Sequence, residues 1–483
     1  MKLIDLLEGL DYINIENYND MTIDAMSYDS RRVIPGSVFF CIPGLTVDGH
    51  DYANQAVKKG TSVLVLERDV QVDVPVTKVF VKDSRVAMAK MANTYYKNPT
   101  KGIVLIGITG TNGKTTISYL IKSILEKAGH KVGLMGTISN MIGDKKIPSR
   151  FTTPESLDLQ KTLRDMADEG VDSIVMEVSS HALSLGRVEG CIYDIGVFSN
   201  LSQDHLDFHA SMEEYGNAKS KLFHQSKIAV VNVDDKNGRR IRKDISTSLY
   251  TYGIYKEAQI YARELEIAHK GVSFNLHTPD GHTFINLAIP GLFSIYNALA
   301  AASVSYALGI PLEVIAKGLD NIKGVDGRFQ LLNTGTDYSV ILDYAHTPDG
   351  MENILKTARE FTKGRVITLF GCGGDRDHGK RSIMGNIAGE YSDFCIVTSD
   401  NPRGEEPMDI IRQIVPGVEK ARCPYIIIEN RREAIAYALD KAKKDDVLIL
   451  AGKGHETYQI LKDETIHFDE KEIVAQILGK ENV

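Results

Sequence analysis

The ten residues GITGTNGKTT, 107–116, constrain this chain more tightly than any other stretch. A glycine-rich turn closed by Lys-Thr, set between a strand and a helix, is built to hold polyphosphate. The strict P-loop pattern asks for a glycine five positions before Gly113, and the chain has Ile108 there, so the loop is a variant. Its context still fits. Val104–Ile108 is a short apolar run, and apolar residues then recur at Ile117, Leu120, Ile121, Ile124, Leu125 and Ala128 up to Gly129. That is helical spacing with a terminating glycine. Gly110 and Gly113 let the backbone turn its N–H groups to phosphate oxygens, and the helix N-terminus adds favourable partial charge. Lys114 reaches the phosphates and the Thr115 hydroxyl suits Mg²⁺. The loop residues Gly110, Thr111, Asn112, Gly113, Lys114, Thr115 and Thr116 are the expected ATP contacts.

Two further stretches carry candidate chemistry. In VDSIVMEVSSHAL (171–183) an apolar strand ends in Glu177, where a parallel sheet presents its ligands. In FSNLSQDHLDFHASMEEYGNAKSKLF (198–223), His205 and His209 stand four apart, but no HExxH glutamate lies between them and the spacing reads as loop. Lys219 sits in a helical segment with Leu222 and Phe223 and, taken alone, reads as a surface lysine.

Short apolar runs alternate with helix-period segments throughout the 483 residues, which predicts an α/β protein with largely parallel sheets. SVFFCI (37–42) and SVLVLE (62–67) are strand candidates, and a helix in RVAMAKMANTYYKNP stops at Pro99. A boundary follows near residue 100. Residues 261–291 read as an antiparallel hairpin about Pro279-Asp280-Gly281. IKGVDGRFQ (322–330) reads as a hinge into a last unit with strands at 339–342, 366–370, 394–398 and 447–450. Three of those strands lead into polar loops, FGCGGDRDHGKR, SDNPR and AGKGHE, which a parallel sheet gathers at one edge. The loops bring Arg376, Asp400, Asn401, Pro402, Arg403, Gly452 and Glu456 together. That mix suits a zwitterion, with guanidinium for carboxylate and carboxylate for ammonium, and Pro402 stiffens its loop.

Composition narrows the class. A net charge of −8 argues against a nucleic-acid partner, so anionic ligands must be held locally. Five scattered cysteines without a C-x-x-C pair fit neither a disulfide framework nor a zinc ribbon, and suit a reducing cytosol. MKLIDLLEGL is amphipathic and acidic rather than a signal peptide, and no apolar run reaches membrane-spanning length. A cytoplasmic monomer with no membrane partner is the expectation.

The motifs GTNGKTT, EVSSHAL, SQDHLDFH…YGNAKSKLF, YNALAA and LDYAHTPDG, in this order, resemble the Mur ligase family of peptidoglycan precursor synthesis. GTNGKT alone is shared with folylpolyglutamate and cyanophycin synthetases. The resemblance spans residues 27–456 and implies three domains. These are an N-terminal UDP-binding α/β domain (1–99), a central P-loop ATPase-type domain with a mostly parallel sheet (100–328) and a C-terminal Rossmann-like domain (329–483). SYDSRRVIPGSVFFCIPG (27–44) and DNPRGEEP (400–407) are similar to the member that adds the third peptide residue, in the version using meso-2,6-diaminopimelate. The implied substrates are then ATP, UDP-N-acetylmuramoyl-L-alanyl-D-glutamate and meso-2,6-diaminopimelate, with Mg²⁺ as cofactor.

The resemblance also implies roles. Thr115, Glu177 and His205 match metal ligands, and Lys219 matches a lysine carbamylated to N6-carboxylysine. Lys114, Glu177, His205 and Lys219 form the catalytic set. Asn297, Arg328 and Asp343 match nucleotide contacts. Ser30, Thr152, Thr153, Ser179 and Arg187 match contacts to the UDP-sugar, although Leu185 stands where many relatives have glutamine. Arg403 matches the residue facing the distal carboxylate that distinguishes diaminopimelate from lysine. Lysine as the added amino acid, and a P-loop ATPase that drives motion rather than amide synthesis, are the alternatives.

Overall fold

A computed structural model describes residues 1–44, 47–147, 151–268 and 270–483. By contact the chain divides into two compact units. The first comprises 1–107, 130–196 and 221–227, and the second 108–129, 197–220 and 228–483.

The first unit carries a five-stranded sheet in the order Tyr12–Glu16, Thr77–Val81, Val63–Leu66, Ser37–Phe40, Ala25–Ser27. Only its first pair is antiparallel. SVFF and VLVL are buried at every residue because both faces are covered, as uninterrupted apolar runs predict. Val38, Phe40, Val63 and Val65 pack with Met88, Met91 and Leu3. Phe39, Leu64 and Leu66 pack with Ala53, Ala56 and Val57. The helix Ser84–Tyr95 opens where the Asp83 carboxylate accepts the N–H groups of Arg85 and Val86. It ends short of the predicted stop at Pro99, because Lys97 and Asn98 turn through left-handed conformations.

Each unit carries further strands of the α/β framework. In the first unit Ser173–Glu177 runs parallel to Val132–Met135, which continues antiparallel through Asn140–Ile142 to Lys145–Ile147. Ser226–Asn232, of the second unit from Ile228 onward, and the second-unit strands Ser248–Gly253 and Ile260–Ala268 are parallel neighbours. Gly271–Thr278 and Gly281–Leu287 then add antiparallel, with Thr278 opposite Gly281, which is the hairpin read at Pro279-Asp280-Gly281. The pairing is therefore mixed rather than simply parallel. The outer connections are too short for a crossover and force antiparallel return.

The helix predicted after the glycine turn is Lys114–Lys127. Ile117, Leu120, Ile121, Ile124 and Leu125 are fully buried, whereas Ala128 is an exposed cap residue before Gly129 at φ +96°. Helix Leu312–Asn321 crosses it so closely that a Cβ on Gly318 would lie 2.5 Å from the Ile124 Cα. The last sheet has the order Gln330–Leu331, Ser339–Asp343, Val447–Ala451, Val366–Phe370, Phe394–Val397, Tyr425–Ile427. It is parallel after its first pair, and the four strands read from the sequence are all present. Among the described residues no helix is long and apolar enough to cross a membrane.

Candidate active site

The glycine turn is braced before any ligand is considered. Gly110 has φ +151°, and a Cβ there would sit 1.9 Å from the Ser199 hydroxyl; at Gly113, with φ +88°, it would meet the Asn297 amide oxygen at 2.4 Å. Neither position admits a side chain. Asn200 accepts the Asn112 N–H at 2.9 Å and returns its own amide to the Asn112 carbonyl at 3.1 Å. Thr111 lies 3.2 Å from both the Ser202 carbonyl and the Tyr215 hydroxyl. Thr115 and Thr116 are buried in the first helical turn. The loop is thus held from the 199–202 segment, its N–H groups fixed in direction.

Two lysines converge on it. Lys114 donates to the carbonyls of Gly110 and Thr111, both at 2.9 Å. Lys219, on helix Met212–His224, donates to the Gly110 carbonyl at 2.8 Å and lies 4.3 Å from the Tyr215 ring centre. It is only 1% exposed, so the surface-lysine reading is overturned: the helix turns this residue inward. Burial drives its amine well below the ordinary lysine range, and the Lys114 charge adds to that.

His205 lies outside any helix, at φ +55°, which removes the i, i+4 helical geometry a two-histidine zinc site would use. Its Nε2 is 3.3 Å from Asp204. Asp204 is buried and also lies 3.3 Å from the Lys380 ammonium and 3.8 Å from His346. Burial would raise its carboxyl, but Lys380 and the histidines hold it below the usual range. Arg328 donates to the Thr115 hydroxyl at 3.1 Å and stacks 4.5 Å over Tyr344. Asp343 accepts the N–H groups of Phe329 at 2.6 Å and Ala345 at 2.7 Å, while burial raises its carboxyl.

The strand-end loops of the last sheet form a second cluster. Lys453 is fully buried and donates to the Asn401 side-chain oxygen at 3.0 Å, to Glu456 at 3.2 Å and to the Tyr458 carbonyl at 2.8 Å. Asn401 passes its amide to Glu456 at 2.9 Å. Burial raises the Glu456 carboxyl, with Lys453 opposing. Gly452 has φ +112°, and a Cβ on it would lie 2.6 Å from Asp400. Arg403, itself at φ +52°, donates to the Gly374 carbonyl at 3.0 Å. Glu405, two residues further on, is clamped by Arg381 at 2.8 and 2.9 Å. Arg376 is exposed beside the same Gly373 that Arg403 approaches. Sequence reading missed Asp204, Lys380, Arg381 and Lys453. All four lie inside quoted motifs, but each acts by pairing with a residue distant in sequence or by being buried, which spacing does not reveal.

The first unit holds the remaining candidates. Glu177 is buried and accepts the Thr137 N–H at 2.9 Å and hydroxyl at 3.0 Å. Thr152 pairs with the same Thr137 hydroxyl at 3.0 Å, and Thr153 donates to the Glu177 carbonyl at 2.9 Å. The Ser179 N–H donates to Thr153 at 3.1 Å, and Arg187 to the Thr153 carbonyl at 3.2 Å. Thr152, Thr153, Glu177, Ser179 and Arg187 therefore form one network. Arg187 is also 3.0 Å from Glu155, which Arg85 grips at 2.7 Å. Ser30 stands on a separate loop, bonded to Gln55 at 3.0 Å.

A glycine turn on a strand–helix junction, two lysines converging on its carbonyls and a zwitterion-suited loop cluster define a P-loop nucleotide-binding α/β protein. Family models match in chain order: the Mur ligase family catalytic domain over 22–101, the Mur ligase middle domain over 108–305, and the Mur ligase glutamate ligase domain over 327–454. The chain is 52% identical over 481 residues to the "UDP-N-acetylmuramoyl-L-alanyl-D-glutamate--2,6-diaminopimelate ligase" of Caldanaerobacter subterraneus subsp. tengcongensis, covering 99% of both chains. It is 48% identical over 490 residues to the ligase of that name from Geobacillus thermodenitrificans, covering all of both. A solved structure titled with the same ligase name matches at 31% identity, TM-score 0.67, over 95% of each chain. A MurF ligase from Thermotoga maritima in complex with ADP shares the fold at 20% identity and TM-score 0.62, over 88% of this chain and 93% of that one. The chain belongs to the Mur ligase family, with the three-domain α/β fold of that family.

Proposed function

We propose that the protein is an ATP-dependent amide ligase that joins meso-2,6-diaminopimelate to the D-glutamyl carboxylate of UDP-N-acetylmuramoyl-L-alanyl-D-glutamate. The observation that carries this reading is the end-to-end likeness, at half identity, to ligases bearing that name. The domains are 1–99 for the UDP precursor, 100–328 for ATP and 329–483 for the amino acid, in a cytoplasmic monomer.

The reaction needs no enzyme nucleophile. ATP transfers its γ-phosphoryl group to the substrate carboxylate, the amine attacks the acyl phosphate, and the tetrahedral intermediate expels phosphate. The protein's work is to align three substrates and neutralise charge. Gly110–Thr116 cradle the phosphates by backbone N–H groups and Lys114, and Asn297, Arg328 and Asp343 are further contacts to the nucleotide. Ser30, Thr152, Thr153, Ser179 and Arg187 hold the UDP precursor. Arg403 and Arg376 bind carboxylate, while Asp400, Asn401, Glu456 and the Gly452 carbonyl bind ammonium.

The family resemblance assigns a divalent cation to Thr115 and His205 of the second unit and Glu177 of the first, side chains whose oxygen and nitrogen atoms are of the kind that ligate such an ion. Lys219 joins them only as a carbamate, and a buried amine with a depressed pKa is the nucleophilic, uncharged form that adds to CO₂ with loss of a proton. Bound Mg²⁺ would neutralise phosphoryl charge.

The segment near 324–331 is proposed as the hinge on which the last domain swings to enclose ATP; scattering envelopes unchanged by nucleotide and substrate would reject it. The deciding experiment for the function is phosphate release with ATP, Mg²⁺ and UDP-N-acetylmuramoyl-L-alanyl-D-glutamate, comparing meso-diaminopimelate with L-lysine. Dependence on diaminopimelate supports the reading. A lysine preference keeps the ligase and removes the role given to Arg403, and release indifferent to both returns the chain to a generic ATPase.

A further inference from the structure

The five cysteines are scattered in sequence, yet the fold brings two of them into contact. Cys395 is on the strand Phe394–Val397, and Cys423 lies in the turn between helix Pro407–Lys420 and strand Tyr425–Ile427. Their sulfur atoms are 3.7 Å apart. The parallel pairing of these strands sets Cys395 opposite Tyr425, so Cys423 falls two residues before its partner, on the same side of the strand. The Cys395 N–H donates to the Pro424 carbonyl at 3.0 Å, which pins the turn to the strand at the point where the thiols meet.

The two thiols are not equivalent. Cys395 is wholly buried, whereas Cys423 is 7% exposed and flanked by exposed Arg422 and Pro424. Cys423 Sγ donates towards the Cys395 sulfur and also lies 3.4 Å from the carbonyls of Ser392 and Pro424, while contact and burial together raise the Cys395 thiol. Cys41, Cys191 and Cys372 behave differently: burial pushes each up to about 12, and none lies against another thiol in the contacts described. The less enclosed of the two thiols is thus already in contact with one that is wholly buried. That is the arrangement of an attacking cysteine beside a resolving one.

We propose that Cys423 and Cys395 are a redox modification site, oxidised to a reversible disulfide by hydroperoxides. The Cys423 thiolate attacks a peroxide oxygen; an S–O bond forms, the O–O bond breaks, and the departing hydroxide leaves as water after taking a proton. Cys395 then attacks the sulfenic sulfur, forming S–S and breaking S–O, while its proton leaves with the hydroxide as a second water. Two thiols and one hydrogen peroxide give one disulfide and two waters. The sulfur atoms must close from 3.7 Å to about 2.05 Å, a move side-chain rotation supplies if the turn yields slightly. No step of amide synthesis uses either residue, so the site stands independently of the proposed function.

The test uses the full-length protein treated with stoichiometric hydrogen peroxide, alkylated while folded, and read by intact mass and non-reducing peptide mapping. The expected result is a loss of about 2 Da, a 395–423 linked peptide, and recovery of both thiols with a dithiol reductant. Cys423→Ser is expected to abolish the linkage. Cys395→Ser is expected to leave a sulfenic acid on Cys423 that dimedone traps, and Cys372→Ala to change nothing. Should Cys395→Ser fold poorly, the wild-type map still decides. Oxidation that stops at Cys423 without linkage, begins at another cysteine, or leaves all five thiols intact would overturn the proposal.

Discussion

The glycine turn and the strand-end cluster of the last sheet, both in the second unit, solve the problem of holding charge in opposite ways. At the turn, two lysine amines converge: Lys114 and Lys219 both donate to the Gly110 carbonyl. In the last sheet every buried cation is matched: Arg431 with Glu470 at 2.8 Å, Arg381 with Glu405 at 2.8 Å, Lys453 with Glu456 at 3.2 Å. The first gathers donors on one carbonyl, beside the backbone N–H groups that would face a phosphate. The second pairs each of these cations with a carboxylate, and so can present neighbouring groups in fixed positions to a zwitterion.

The largest effect should come from breaking this pairing. Arg431 and Glu470 have fully buried side chains, and Arg431 also donates to the Ala451 carbonyl at 2.8 Å, next to Gly452. Glu470→Ala leaves a guanidinium buried without its carboxylate and is expected to cost about 3–5 kcal/mol in urea unfolding. A loss below about 1 kcal/mol would mean the pair is not what holds the cluster.

This contrast also explains what the sequence made legible. The turn is a local device: strand, glycines, Lys-Thr and helix follow one another, so Gly110, Gly113, Lys114 and the buried stripe Ile117–Leu125 are readable by spacing. The strands and loops of the last sheet were readable too, because strand-end loops in a parallel sheet share an edge. The partners were not. Arg381–Glu405 and Arg431–Glu470 join residues far apart in the chain, and Lys453, within AGKGHE, looks solvent-bound until the fold buries it. Lys219 is the sharpest case, since its role depends wholly on which face of its helix turns inward.

The convergence at the turn should appear in catalysis rather than stability. Lys219→Arg keeps the charge but cannot become a carbamate, so phosphate release is expected to fall about 10²–10³-fold, with folding intact. Retained activity would remove the carbamate from the reading.

Arg403→Lys sharpens the comparison from the other side. Losing the fork of donors should raise KM for meso-diaminopimelate about 10–100-fold, as for a hydrogen bond to charge worth about 1.5–3 kcal/mol, and leave KM for ATP unchanged. Equal effects on both substrates would show that the two regions do not act separately.

Glu405 gives the pairing a pH signature. Its hydrogen bond from Arg381 holds the carboxyl down at about 2 against an ordinary 4.5. The folded value is depressed, so the contribution is complete above about pH 4.5 and disappears as the pH falls toward 2. Glu405→Gln should therefore cost about 2 kcal/mol at pH 7, and the gap from wild type should close across that window. A gap independent of pH would mean the loss is one of packing.

The smallest expected effect concerns a bond that ties the glycine turn to the helix Pro348–Phe361. Asn112 donates its side-chain amide to Asp349 at 2.5 Å, and the Thr347 hydroxyl approaches the Asn112 oxygen at 3.4 Å. Burial raises the Asp349 carboxyl while the Asn112 amide lowers it, so the acceptor is only partly compensated where it sits. Asp349→Ala removes an acceptor and leaves the amide to find another. About 1 kcal/mol, or a five-fold rise in KM for ATP, is the scale of such a bond. If KM for diaminopimelate rises with it, the turn and the last domain are energetically coupled through this contact. If only the ATP term moves, the two charge strategies operate side by side, and closure of the last domain must draw on other contacts, of which Asp204 with Lys380 at 3.3 Å is the most buried.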